Sequence, residues 1–76
     1  MDPWEKCEPL YDPHFSDQMS GRHLPDSQVR EALAEGTKQL ENNNEKKYQV
    51  RWHRWVLIVF LRKCFIYCKT AFLVGS

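Results

Sequence analysis

No acidic residue follows Glu45, and neither glycine nor proline interrupts residues 47–74. Cysteine is sparse, with only Cys7, Cys64 and Cys68, and no Asn-x-Ser/Thr sequence occurs. Each gap excludes something. Three thiols cannot all pair within one chain, so a secreted disulfide framework is not expected. The opening MDPWEKCEPLYDPHF has no basic start followed by an apolar run, so it does not read as a secretory signal. The chain is therefore expected inside the cell, in the cytoplasm and peripheral to a membrane, with the nucleus as the alternative. There is no Ser/His/Asp set in a recognisable context, no Gly-rich phosphate loop and no framed Cys–His pair. Catalysis, a cofactor and a metal are accordingly not expected. Cys64 and Cys68 are only half of a tetrahedral zinc site, and no close spacing supplies the other ligands.

What is present is a division of charge. The overall balance of +1 conceals ten acidic and four basic residues in 1–45 and seven basic residues in 46–76. A basic half facing an acidic half either neutralises it within the molecule or serves an anionic partner. With 76 residues, the chain has little core to spend, since domains of this size rarely gain more than about 3–5 kcal/mol from packing alone. A partner or a surface is a natural supplement.

Four segments follow from composition. Residues 1–24 carry Pro3, Pro9 and Pro13 among alternating acidic and aromatic residues. Prolines so placed remove backbone donors and disfavour helix before them, which predicts a disordered segment. Its interaction anchors are Trp4, Leu10, Tyr11 and Phe15. Residues 25–42 open with Pro25, Asp26 and Ser27 and continue with good helix formers. Val29, Leu33, Gly36 and Leu40 share one face of the short amphipathic helix this predicts. Residues 43–47 form an Asn/Lys-rich linker.

Residues 48–74 pose a conflict. Their Val, Ile, Phe, Tyr and Trp content favours strands, yet strict alternation fails, because Trp52 and Arg54 would share one face while Trp55, Lys63 and Lys69 share the other. At 100° per residue Arg51, Arg62 and Lys69 align, with Lys47 and Arg54 beside them. Tyr48, Trp52, Trp55, Val56, Val59, Phe60, Ile66 and Leu73 gather opposite. A basic aromatic amphipathic helix is the expectation, and a two-strand arrangement is the alternative. The fold class expected is thus mostly α with a disordered N-terminus, two helices that could close into a loose hairpin.

Such a helix would not span a bilayer, because Arg62 and Lys63 would each cost about 2.5–3.5 kcal/mol near its centre. It could lie on an anionic membrane surface or in the apolar groove of a protein. The docking residues would be Trp52, Trp55, Val56, Val59, Phe60, Phe65 and Ile66, with the cations Arg51, Arg54, Arg62 and Lys69. Cys64 and Cys68 are candidate lipidation sites beside it. The function expected is a small, non-enzymatic regulatory or adaptor protein. A nucleic-acid-associated transcriptional regulator is an alternative, since RWHRW interleaves cations with stackable rings. A small structural subunit of a larger complex is another alternative.

The stretches MDPW and KCFIYCKTAF resemble parts of small lentiviral transactivators. That family clusters many cysteines and follows them with an arginine-rich arm. Here only two cysteines stand in that region and the chain ends TAFLVGS with no such arm. The resemblance implies a virus-like accessory role with an acidic N-terminal interaction segment.

Overall fold

A computed structural model describes residues 3–74. The chain forms α1 (Pro3–Lys6), β1 (Glu8–Tyr11), α2 (Pro13–Gly21), α3 (Asp26–Glu35), β2 (Thr37–Asn42), β3 (Lys47–Trp52), β4 (Trp55–Arg62) and β5 (Phe65–Leu73). The strands make one mixed sheet in the order β1-β5-β4-β3-β2. Strands β2 to β5 run as an antiparallel meander, and β1 adds to β5 in parallel. Helices α2 and α3 cover one face, giving a two-layer α/β arrangement.

The mostly helical expectation is overturned, since residues 48–74 form strands. The reason lies in the loops. Trp52 pairs with Trp55 across the two-residue loop His53–Arg54, and Arg62 pairs with Phe65 across Lys63–Cys64. His53 and Lys63 have φ of 56° and 34°, the backbone hand that tight hairpin loops require. Neither loop carries the glycine or asparagine that would announce it. Within β3, alternation is in fact clean: Tyr48, Val50 and Trp52 face the helices while Lys47, Gln49 and Arg51 face away. Two further features hide the period. Strand β4 is apolar on both faces, and a bulge between Ile58 and Val59 leaves Lys69 as an extra residue in β5.

Strand β5 is tied to a helix just beyond the bulge. The Oε1 of Gln18, on α2, accepts from both the Thr70 hydroxyl and the Ala71 amide at 2.8 Å. Strand β1 pairs with β5 only as far as Cys68, and an amide beyond that point needs another acceptor when it is buried.

The N-terminal segment is ordered from Pro3 to its end, a second correction; Met1 and Asp2 at its start and Gly75 and Ser76 at the chain's end lie outside the described residues. The prolines suit local structure. Pro13 begins α2, whose N-cap Asp12 accepts from the His14 amide at 3.0 Å. Pro9 lies in a four-residue edge strand, where one missing donor is tolerated. Helix α2 ends with the Leu24 amide bonded to the Met19 carbonyl at 2.9 Å and His23 left-handed at φ 54°.

Helix α3 begins as its sequence suggests but stops at Glu35, and residues 37–42 of the expected helix become strand β2. Gly36 explains the stop. A Cβ there would sit 2.5 Å from the Ala32 carbonyl oxygen, 2.8 Å from Val50 Cγ1 and 2.9 Å from the Arg51 oxygen. Only glycine lets the end of α3 come this close to β3. Val29 and Leu33 bury fully against Val50, Leu57, Val59 and Ile66, whereas Leu40 lies exposed on β2.

Candidate functional site

The sheet has two faces of different character. The inner one is closed by Phe15, Leu24, Val29, Ala32 and Leu33. Among the described residues, no helix lies on the outer one. Cross-strand partners lie on one face about 5 Å apart, and successive residues of a face about 7 Å apart along a strand. Register therefore assembles the outer face row by row. One row runs Lys47, Phe60, Tyr67 and Leu10. On one side of it lie Arg62 and Phe65. On the other lie Gln39, Gln49 and Ile58, followed by Arg51, Val56 and Phe72. Phe65 is 44% exposed and Phe72 40%, although both belong to regular strand. Val56 is 1% exposed, shielded by its in-register neighbours Arg51 and Phe72.

Several of these side chains are held in place. The Arg62 guanidinium lies 5.3 Å from the Phe60 ring centre. Its Nη1 donates to the Glu45 carbonyl at 2.6 Å and to its neighbour Leu61 at 2.9 Å. Tyr67 donates its hydroxyl to Asp12, and Lys69 Nζ lies 3.9 Å from the same carboxylate. The Tyr67 bond, the His14 amide and Lys69 together hold the Asp12 carboxyl below the usual carboxylate range. The same bond raises the Tyr67 phenol. A parallel arrangement ties α3 to β1: Tyr11 donates to Asp26, which also takes Arg30 Nε at 2.9 Å. Asp26 is lowered by these bonds, while Tyr11 is raised by burial and by Asp26.

The candidate docking residues divide between the faces. Of Arg51, Arg62 and Lys69, aligned on the helical projection, the register places Arg51 and Arg62 on the outer face of the sheet, while Lys69 is the unpaired residue of the bulge and reaches Asp12 beside Tyr67. Val56, Phe60 and Phe65 join the two arginines. Trp52, Trp55, Val59 and Ile66 point inward and pack in or against the core. Arg54 sits in the β3–β4 loop. Of the N-terminal anchors, Phe15 is fully buried, Tyr11 stacks on it at 5.4 Å, and Trp4 packs edge-on against Tyr48 at 5.1 Å. Leu10 alone of these reaches the outer face. Residues passed over in the sequence are Gln49 and Phe72. The alternation of KYQVRW was the signal that could have found the first of them.

Cys64 is exposed in the β4–β5 loop. Cys68 is buried in the core, where burial pushes its thiol up to about 12. Among the described residues, no three His, Cys, Asp or Glu side chains gather as a metal-ligand cluster. No helix of the described residues is long and apolar enough to cross a membrane. Two depressions lie away from the outer face. One of about 220 Å³ is lined by Trp4, Cys7, Pro9, Arg30, Leu33 and Ala34. The other, about 530 Å³, is an open hollow beside Met19, His23 and Pro25. Ser20 also lines this open hollow, next to His23.

No protein-family model matches this chain, and neither a curated protein nor a solved structure is found to be similar to it.

Proposed function

We propose that this is a small, non-enzymatic, intracellular docking protein whose working surface is the open face of its sheet and whose partner is anionic. The observation that carries this reading is β4. In an antiparallel sheet with one solvated face, strands alternate apolar and polar residues. Strand β4 instead places Val56, Ile58 and Phe60 on the side that no helix covers. Cations frame those residues: Lys47, Arg51, Arg62 and Lys69 all belong to strands without a single acidic residue. The acidic half of the chain builds the helices and the two edge strands β1 and β2, so its charge lies mostly behind the sheet or at its edges, with Glu8 in the row of Phe65 and Arg62. Fields of one sign concentrated on one face favour an oppositely charged partner.

The test is a titration of isotopically labelled protein with a heparin oligosaccharide, a polyanion without aromatic groups, followed by amide chemical shifts. Shifts at Lys47, Arg51, Phe60 and Lys69 with quiet helices support the reading. Shifts confined to α2 and α3, or none at low salt, overturn it.

A further inference from the structure

We propose that the anionic partner of the open face is a single-stranded nucleic acid, an inference that rests on the docking reading above. Three features of the face converge. The face offers rings as well as charge, and those rings are presented to solvent: Phe65 and Phe72 are among the most exposed large apolar residues of the described chain. Phe60 and Tyr67 stand side by side across β4 and β5. Unpaired bases stack on aromatic rings of this kind whatever their identity, because every base has a flat π-surface.

The cations are placed where a backbone would pass. Lys47 stands next to Phe60 in the row of Tyr67, with Asn42 beyond it; Arg51 lies in the row of Phe72, with Thr37 beyond it; and Arg62 pairs directly with Phe65, with Glu8 at the far end of that row. A strand whose bases lie on β4 and β5 would carry its phosphates along these positions. Between the aromatic rows, Gln39 and Gln49 supply amide donors and acceptors suited to base edges. Arg62 is already stacked over Phe60 and anchored by two backbone carbonyls, so its orientation is fixed before any ligand arrives.

Other occupants fit less well. Surfaces that rest on lipid place tryptophan at the headgroup boundary. All three tryptophans of this chain, Trp4, Trp52 and Trp55, pack instead against the core on the other side of the sheet. A second copy laid face to face would set Lys47, Arg51, Arg62 and Lys69 against a surface of their own sign, and like charges so juxtaposed are repelled. Duplex nucleic acid keeps its bases stacked inside and away from a flat array of rings.

The experiment measures fluorescence anisotropy of a labelled oligouridylate, with a duplex RNA of equal length, the heparin oligosaccharide and phosphatidylserine-containing vesicles as parallel arms. Binding of the single strand with a clear preference over duplex and heparin is expected. Phe65→Ala and Phe72→Ala, exposed positions outside the core, should each weaken it about tenfold. Arg51→Gln should reduce the salt dependence by about one phosphate contact. Arg22→Gln, on the helical side, should change nothing, and circular dichroism of every variant should match the parent. Equal binding of all polyanions without dependence on the rings overturns the nucleic-acid proposal and leaves the docking reading standing. Binding to vesicles alone does the same in favour of a lipid surface. Failure in every arm overturns both.

Discussion

Leu57 and Ile58 are neighbours in one strand and lie on opposite faces of one sheet. Leu57 is fully buried against the helical layer, together with Val59. Ile58 is only partly covered, as is Phe60, and among the described residues no helix packs over them. The two faces of β4 are almost equally apolar, yet the chain supplies a cover for only one. The inner face is explained by folding. The outer face carries more hydrophobic surface than folding of this chain requires, and its surplus coincides with the cations of β3, β4 and β5.

This contrast breaks most readily in the core. Leu57→Ala should cost about 2–5 kcal/mol, the range for emptying a packed leucine site, which is comparable to all the packing energy a chain of this size commands. Ile58→Ala should cost much less, since its side chain already meets solvent. Urea unfolding followed by tryptophan fluorescence measures both. Equal losses would mean that the outer face is as much a part of the core as the inner one.

The junction of helix and sheet is the next most sensitive point. Gly36→Ala should cost about 1–3 kcal/mol, as overpacking does, because the added methyl would meet the Ala32 and Arg51 backbone oxygens and Val50. Two of these three contacts are backbone atoms that cannot rotate away. The same denaturant series reads the loss, and a neutral result would show that α3 can slide on β3.

The division between what was legible and what was not follows the length scale of the forces. Local signals worked where local forces decide. Pro25 and Asp26 marked the start of α3, and Val29 and Leu33 shared an inward face as their spacing requires. Strands β3 to β5 were obscured because hairpin loops built from His53–Arg54 and Lys63–Cys64 lack the usual turn residues. Two-residue interruptions and one bulge also reset the alternation in a way that mimics a helical period. Arg51, Arg62 and Lys69 consequently aligned on a helical projection, and Arg51 and Arg62 share a sheet face by different geometry. The inward turn of Phe15 and Trp4 could not be read locally, since it depends on a surface that exists only once β3 and β5 have paired.

The ionic stitches between helices and sheet define a pH window. Asp12 and Asp26 are held below the ordinary 3.8, so their contribution is complete above that pH and is lost as pH falls through their folded values. Tyr11 and Tyr67 are raised above the ordinary 10.0, so their contribution is complete below that pH and is lost as pH rises past it. Stability should be level between these limits and fall on both sides. Asp26→Asn should flatten the acid limb and Tyr11→Phe the alkaline limb, read from thermal midpoints across pH. An unchanged profile in both would mean that these pairs form no firmer contact in the folded chain than in the unfolded one.

The smallest effect is the most informative about the outer face. Phe72→Ser removes a large ring that is 40% exposed, from a position beyond the helical core. If that ring is there for a partner, stability should change by no more than about 0.5 kcal/mol, the usual scale for surface substitutions. One structural consequence opposes this. Phe72 flanks Val56, which is 1% exposed, and its loss would uncover part of that side chain. Phe65→Ser separates the two effects, because Phe65 pairs with Arg62 and Glu8 and shields no buried residue in its row. A neutral Phe65→Ser beside a mildly destabilising Phe72→Ser would assign the difference to Val56. Losses above about 2 kcal/mol in both would return the outer face to the folding core and remove the surplus on which its docking role rests.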